Sequence, residues 1–166
     1  MIEEYKIKEI QTLEKKIIME MMPIEGFTCL DVGFSRGWFT RHFLQKIGKL
    51  GKVYSWEPNK FLFENYLKKW KFKNLIEIKT KSLDDWWEEV NKCKVDLIKI
   101  DCEGHDYKIL LGGKKMIQES KPKFIWIESN DESVSKYMEN ENYVKNNQFN
   151  GLGLSDTIWE KLTKEK

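Results

Sequence analysis

The chain has 166 residues, the length of one ordinary domain, and 40% of them are hydrophobic, which is enough for a packed core and too much for a disordered chain. Its 29 basic and 27 acidic residues leave a formal charge of +2, a near balance that argues against a dedicated nucleic-acid binder. Cys29, Cys93 and Cys102 have no paired-motif spacing, so a disulfide framework is excluded and reduced thiols in a cytoplasmic protein are expected.

Residues 1–22 are charged throughout and lack the apolar centre of a signal peptide, and no apolar run approaches the ~20 residues that span a membrane. Ile10, Leu13, Ile17 and Met21 recur at helical spacing, which predicts an amphipathic helix ended by Pro23 and Gly26. Residues 27–32 form a short apolar strand running into glycine. Phe39, Phe43 and Ile47 mark a helix closed by Gly48 and Gly51, and 53–56 a strand stopped by Glu57 and Pro58. Leu62, Tyr66 and Trp70 suggest another helix, and 75–78 alternates as a strand does.

Ser82 and Asp85 have capping-box spacing and open a short helix through Trp86 and Val90. Residues 95–100 read as a buried strand ending in Asp101, and 107–111 as a helix with Gly112 and Gly113 past its end. A strand over 124–127 ends in Glu128, and the tail reads as a helix followed by strands around 143–149 and 157–159. Alternating strands and helices of these lengths imply a mostly parallel sheet covered on both faces. There is no repeat, linker or internal boundary, so one domain is expected: an N-terminal helix over 1–22, a binding core over 27–128, and a C-terminal helix and strand pair over 129–166.

The segment Asp31-Val32-Gly33-Phe34-Ser35-Arg36-Gly37 falls where a strand turns into a helix, the place where such sheets bind ligands. Gly33 and Gly37 let the backbone approach a ligand closely. Their spacing is G-x-x-x-G, not the G-x-G-x-x-G that cradles a pyrophosphate. Asp31 would repel a diphosphate and suits a cation such as an ammonium. Glu57, after the next strand, is placed to accept both hydroxyls of a ribose. Together they describe a ligand with a ribose and a positive charge but no phosphate. Alone, the same glycines would describe only a tight turn with surface carboxylates.

Asp101, Glu103, His105 and Asp106 cluster just after the strand over 95–100. An unperturbed histidine titrates near about 6.5, suited to a base at neutral pH, so His105 is the first candidate. Asp101 would serve either as base or to orient an acceptor or an ammonium. The bland alternative is a structural loop in which Gly104 turns the chain and the acids cap the next helix. His42 lies apart, on the helix after the glycine turn, so no metal is expected. Lys99 inside an apolar strand must reach the strand end or meet a carboxylate. The lysine- and aromatic-rich stretch 68–73 reads as a solvated helix end and turn. Trp86 and Trp87 are expected either to stack on an adenine or acceptor or to place one ring in the core and the other half exposed.

These strings resemble a known family. The segment from Asp31 to Thr40, then Val53-Tyr54-Ser55-Trp56-Glu57-Pro58-Asn59, then 96–105 with its Lys99-Ile100-Asp101-Cys102-Glu103-Gly104 element, is similar to the FkbM family of methyltransferases. Ser82-Leu83-Asp84-Asp85 and the run from Lys121 to Glu128 follow the same pattern. The resemblance implies the Rossmann-like class I methyltransferase fold, a mostly parallel seven-stranded sheet with helices on both faces. It implies S-adenosyl-L-methionine as cofactor and transfer of a methyl to a hydroxyl oxygen, often on a sugar. Taken with the residue readings above, Asp31, Gly33, Phe34, Ser35, Gly37, Glu57, Pro58, Ser82, Leu83 and Asp101 are expected around the cofactor, and Asp101, Glu103 and His105 at the chemistry.

The chain departs from the family in a shorter stretch between residues 78 and 82, where the adenine pocket is normally built. It also carries Phe34 and Ser35 where a small residue and asparagine are common. The expected partner is a small-molecule or glycan acceptor. The rivals are methylation of RNA or protein, and a domain that binds the cofactor without turnover. A homodimer is compatible with the sequence.

Overall fold

A computed structural model describes residues 2–78, 80–129, 131–150 and 156–163, with the backbone only for 2–11 and 150. The element order is α1 (Ile2–Met21), β1 (Thr28–Val32), α2 (Trp38–Lys46), β2 (Lys52–Trp56), α3 (Lys60–Asn65) with a 3-10 turn at Leu67–Lys69, β3 (Leu75–Ile78), α4 (Leu83–Glu89), β4 (Leu97–Ile100), α5 (Asp106–Leu111), α6 (Lys114–Ser120), β5 (Phe124–Ile127), α7 (Glu132–Asn140), β6 (Tyr143–Lys145), α8 (Asn147–Asn150) and β7 (Thr157–Lys161).

The strands form one seven-stranded sheet in the order β3-β2-β1-β4-β5-β7-β6. β1 pairs in parallel with β2 and β4, and β5 extends β4 in parallel. Among the described strands β7 runs against its neighbours β5 and β6. The strand order reverses between β1 and β4, so a crevice opens there at the strands' carboxyl ends.

Side chains alternate across this sheet and make two cores. Leu30, Val32, Ile98, Ile100, Ile125 and Ile127 face α4–α7, joined by Trp86 and Trp87. Cys29, Val53, Leu97, Phe124 and Trp126 face the other layer with Ile18, Met19, Phe39 and Phe43. Trp86 and Trp87 are both buried, against the expectation that one would be half exposed. Trp86 packs edge-on against Tyr54 and Trp56, and the Trp87 indole donates to the Cys93 carbonyl at 2.7 Å, which meets its polar need inside the core.

α1 is helical as its spacing predicts, but the other side of it is buried. Lys15, Ile18, Met19 and Met22 form the inward stripe, with the last three at 1% exposure or less, each such side chain contributing about 1.5–3 kcal/mol. Leu13, Ile17 and Met21 are exposed, and the Ile10 side chain lies outside the described residues. Both stripes are apolar, so spacing alone did not choose between them.

Three further elements differ from expectation. Gly112 and Gly113 stand past the end of α5, as expected, but they also lead into a second helix, α6, which the sequence pattern does not predict. An added Cβ on Gly113 would meet Leu83 Cδ1 at 2.8 Å, so the glycine lets α6 begin close against α4. Asp84 of α4 caps α6 by accepting from the Met116 N–H at 2.8 Å. The strand expected over 143–149 stops at Lys145, because Asn146 turns the chain into α8 with its side chain accepting from the Gln148 N–H at 3.0 Å. The helix expected through Trp70 divides into α3, capped by Asn59, and the 3-10 turn.

Candidate functional site

β1 runs into Gly33, whose φ is +100° and whose Cβ, if it had one, would lie 2.1 Å from the Asp101 carbonyl oxygen. Glycine is required here because the loop after β4 presses against the turn after β1. Gly37, at φ +80°, is hemmed in by the rings of Phe34 and Trp70, which would stand 2.6 Å from a Cβ. Phe34 is buried edge-on against Trp70, so it can offer a ligand only its backbone.

Glu57 joins two turns. Its carboxylate accepts the Ser35 N–H from the turn after β1 and the Asn59 N–H from beyond Pro58, each at 2.8 Å. It is 4% exposed, yet each oxygen keeps a further lone pair for a hydroxyl donor.

One row of the sheet is polar. The register aligns Ser55, Asp31, Lys99 and Trp126 across β2, β1, β4 and β5. All four are buried. The Thr40 hydroxyl of α2 donates to Asp31 and lies 2.7 Å from the Ser55 hydroxyl. Burial pushes the Asp31 carboxyl up to about 7, against the opposing pull of Thr40 and Lys99. A free carboxylate facing a ligand cation was expected at Asp31; the structure instead holds it under α2.

Lys99 meets carboxylates, as its position demanded. Its ammonium lies 3.5 Å from Asp101 and 3.4 Å from Asp156, over the ring of Phe39 at 4.7 Å. Lys15 of α1 reaches Asp156 at 3.3 Å, and the Trp126 indole donates to the same carboxylate at 2.8 Å.

Asp101 shares a hydrogen bond with Glu128 at the end of β5. Two carboxyl groups can do so only with a proton between them. Burial raises Asp101, but Lys99, the bond to Glu128 and Lys15 outweigh it and hold Asp101 below the usual carboxylate range. The bond to Asp101, with burial, pushes Glu128 up to about 7. The pair thus carries one negative charge and one proton near neutrality, the charge resting on Asp101 beside Lys99.

The loop from Cys102 to His105 is built by local bonds. Asp106 is buried and accepts the Cys102 N–H at 3.0 Å, so it serves the loop and not a ligand. Glu103, at φ +40°, and Gly104, at φ +85°, make the exposed turn. Burial pushes the Cys102 thiol up to about 12, which removes it as a nucleophile.

His105 is exposed and lines a cleft of about 230 Å³ with Val32, Trp56, Ser82, Leu83 and Lys108. The structure therefore brings His105 together with Ser82 and Leu83, two residues expected at the cofactor, and sets Asp101 with Glu128 and Lys99. Ser82 caps α4 by accepting the Asp85 N–H at 3.1 Å, and Leu83 is 3% exposed, so its share in the cleft is small. A larger groove of about 510 Å³, lined by Arg41, Gln45, Phe72 and Asn74, lies at the amino end of β3, away from the strand-end carboxylates. His42 stacks on Trp38 at 4.0 Å and is not part of the site.

Sequence reasoning missed Glu128, Asp156, Lys15, Thr40 and Ser55 as members. Glu128 carries the same signal as Asp101, an acid ending a wholly buried strand. Among the described residues no group of three or more His, Cys, Asp or Glu side chains could hold a metal ion, and no helix is long and apolar enough to cross a membrane.

Comparison with known proteins bears on the fold and the family. A 64-residue stretch is 33% identical to the 2-O-methyltransferase NoeI of Sinorhizobium fredii (strain NBRC 101917 / NGR234). That match spans 39% of the chain and only 26% of the relative. Among solved structures, a SAM-dependent methyltransferase from Aquifex aeolicus superposes with a TM-score of 0.55 at 20% identity, over 86% of this chain and 89% of its own. Aeropyrum pernix fibrillarin, solved with natively bound S-adenosyl-L-methionine, gives 0.61 at 13% identity, over 85% and 69% of the two chains. The fold is thus that of the Rossmann-like S-adenosylmethionine-dependent methyltransferases. Residues 63–145, half of the chain, match the methyltransferase FkbM domain and include the Asp101 loop and Glu128, so the chain belongs to the FkbM methyltransferase family.

Proposed function

We propose that this protein binds S-adenosyl-L-methionine and transfers its methyl group to a hydroxyl oxygen of a carbohydrate or a related small molecule. The observation that carries the reading is the set of carboxyl groups at the carboxyl ends of adjacent strands. Glu57, Asp101 and Glu128 end β2, β4 and β5 around the Gly33 turn, with Asp31 beneath it. A diphosphate would meet repulsion from this set, whereas a ribose finds acceptors at Glu57 and a cation finds Asp101. The cleft formed by Trp56, Ser82 and His105 is the nearest space for an adenine. When bound, the cofactor supplies a methyl already activated by a positive sulfur, so the chain's own tasks are to align an acceptor and to take up a proton. The carbohydrate acceptor is supported by NoeI alone, whose name describes a 2-O-methyltransferase.

Calorimetric titration with S-adenosylmethionine and with NAD tests the cofactor. Binding of the first and not the second is expected, and the reverse refutes the reading. Transfer of labelled methyl to monosaccharide glycosides, in competition with bulk RNA, tests the acceptor class. Label found only in RNA would refute the carbohydrate assignment.

A further inference from the structure

The Asp101–Glu128 pair has a consequence for the chemistry that rests on the function proposed above. Glu128 emerges from β5 directly beside β4, its N–H donating to the Ile100 carbonyl at 3.2 Å. Asp101 emerges from β4 beside β1, its N–H donating to the Val32 carbonyl at 3.0 Å and its own carbonyl filling the space over Gly33. The pair therefore lies next to the glycine turn, on the side where the strand order reverses.

The charges around the pair come from four directions. Lys99 on β4 and Lys15 on α1 are the cations. Asp156, before β7, and Asp31, on β1, are the acids. Lys15 and Lys99 are both engaged by Asp156, at 3.3 and 3.4 Å, and Lys99 also by Asp101, at 3.5 Å. Lys15 and Lys99 face Asp156 and the single negative charge of the pair, and the cluster balances when Asp31 is protonated as well. A further positive charge beside it makes the shared proton superfluous.

We propose that the Asp101–Glu128 pair gives up its shared proton when the cationic cofactor binds, and that Glu128 then takes the proton of the acceptor hydroxyl during methyl transfer. The balance closes. The hydroxyl oxygen forms the new O–CH3 bond, the pair of electrons of the broken C–S bond stays on sulfur, and the hydroxyl proton goes to Glu128. Sulfur is then neutral and the pair again holds one proton, its resting state. The single proton produced per turnover left for solvent when the cofactor bound. His105, by contrast, lines the cleft with Ser82 and Trp56, on the opposite side of Asp101 from Glu128 in the order of the sheet.

The test needs no acceptor. Binding of S-adenosylmethionine to the whole chain is measured by calorimetry at pH 6.5, in buffers of different ionisation enthalpy, which counts the protons released. A release approaching one per site is expected, with affinity rising by up to about tenfold per pH unit below neutrality. The demethylated product, neutral at sulfur, should release much less. In Glu128→Gln the release should vanish while binding remains, with folding checked by thermal melts; Glu128→Ala gives a second variant should the first not fold. Binding of S-adenosylmethionine without proton release overturns the proposal and leaves the proposed function standing. So does a release equal for both ligands, or one that persists in Glu128→Gln and disappears in Asp31→Asn. No binding of S-adenosylmethionine at all refutes the proposed function itself.

Discussion

Asp31 offers a measurement of what the buried polar row costs. Its carboxyl rises from 3.8 to about 7 because burial disfavours the charged form. The folded chain therefore holds this proton more tightly than the unfolded chain does. The resulting stabilisation is complete below pH about 4, where both states are protonated, and is lost as pH rises through about 7. A shift of that size corresponds to roughly 4 kcal/mol between the two limits, an order-of-magnitude figure. Asp31→Asn keeps an oxygen to accept from Thr40 and removes the titration. Urea unfolding of both proteins at several pH values from 4.5 to 8 gives the two curves. The variant should be less sensitive to pH, and its stability relative to the parent should rise by several kcal/mol across the range. Glu128 titrates in the same window in both proteins, so the difference isolates Asp31. Parallel curves would show that Asp31 is charged and satisfied in the folded chain at neutral pH.

Other positions yield shorter expectations. Glu57→Ala should weaken S-adenosylmethionine binding by about 1–3 kcal/mol, the range for lost hydrogen bonds to a charged group, and unchanged affinity in a folded variant removes Glu57 from the site. Lys99→Met should destabilise the fold by about 3–5 kcal/mol, because Asp156 and Asp101 lose a buried counter-charge; denaturant titration showing no loss would mean that Lys15 and the Trp126 indole suffice. Gly33→Ala, at φ +100° and 2.1 Å from the Asp101 oxygen, should displace the loop after β4 and lower thermal stability and cofactor affinity together, and loss of only one would uncouple the loop from the turn.

The strands were legible where an apolar run is bounded by polar residues. β3 and β5 fall where the pattern puts them, at Leu75–Ile78 and Phe124–Ile127. β6 was not, since residues 143–149 keep a strand-like composition and only the Asn146 side chain, turning back on its own backbone, shows where the strand ends. α6 was hidden because two successive glycines look like an ending, and their purpose, the approach of Leu83, comes from a helix 30 residues away. The site was legible in its strand-end acids Glu57 and Asp101. The proton shared with Glu128 is a tertiary fact, set by two neighbouring strands ending at the same height. Asp156 follows residues 151–155, which lie outside the described ones, and no local pattern links it to Lys15 or Lys99.

Among the described residues, polar contacts fasten α1 at two places. Near its end, the Lys46 ammonium of α2 caps the helix by donating to the carbonyls of Met19, Glu20 at 2.7 Å and Met22 at 3.1 Å, groups that no helical N–H reaches. Two turns earlier, Lys15 delivers its charge to Asp156 at 3.3 Å. The first fastening fixes the axis and rotation of the helix, and the second turns that orientation into an electrostatic setting. A version of this protein trimmed to begin at β1 would keep the residues of every strand, the glycine turn and the Asp101–Glu128 pair, but would lose Ile18, Met19, Met22 and Ile24 from the core. It would also lose Lys15, one of the two cations facing Asp156 among the described residues, and the proton affinity of the remaining acids would rise. The leading helix is in that sense a remote adjustment of acidity, and minimal fragments of such a domain should be compared by their pH dependence before they are compared by their rates.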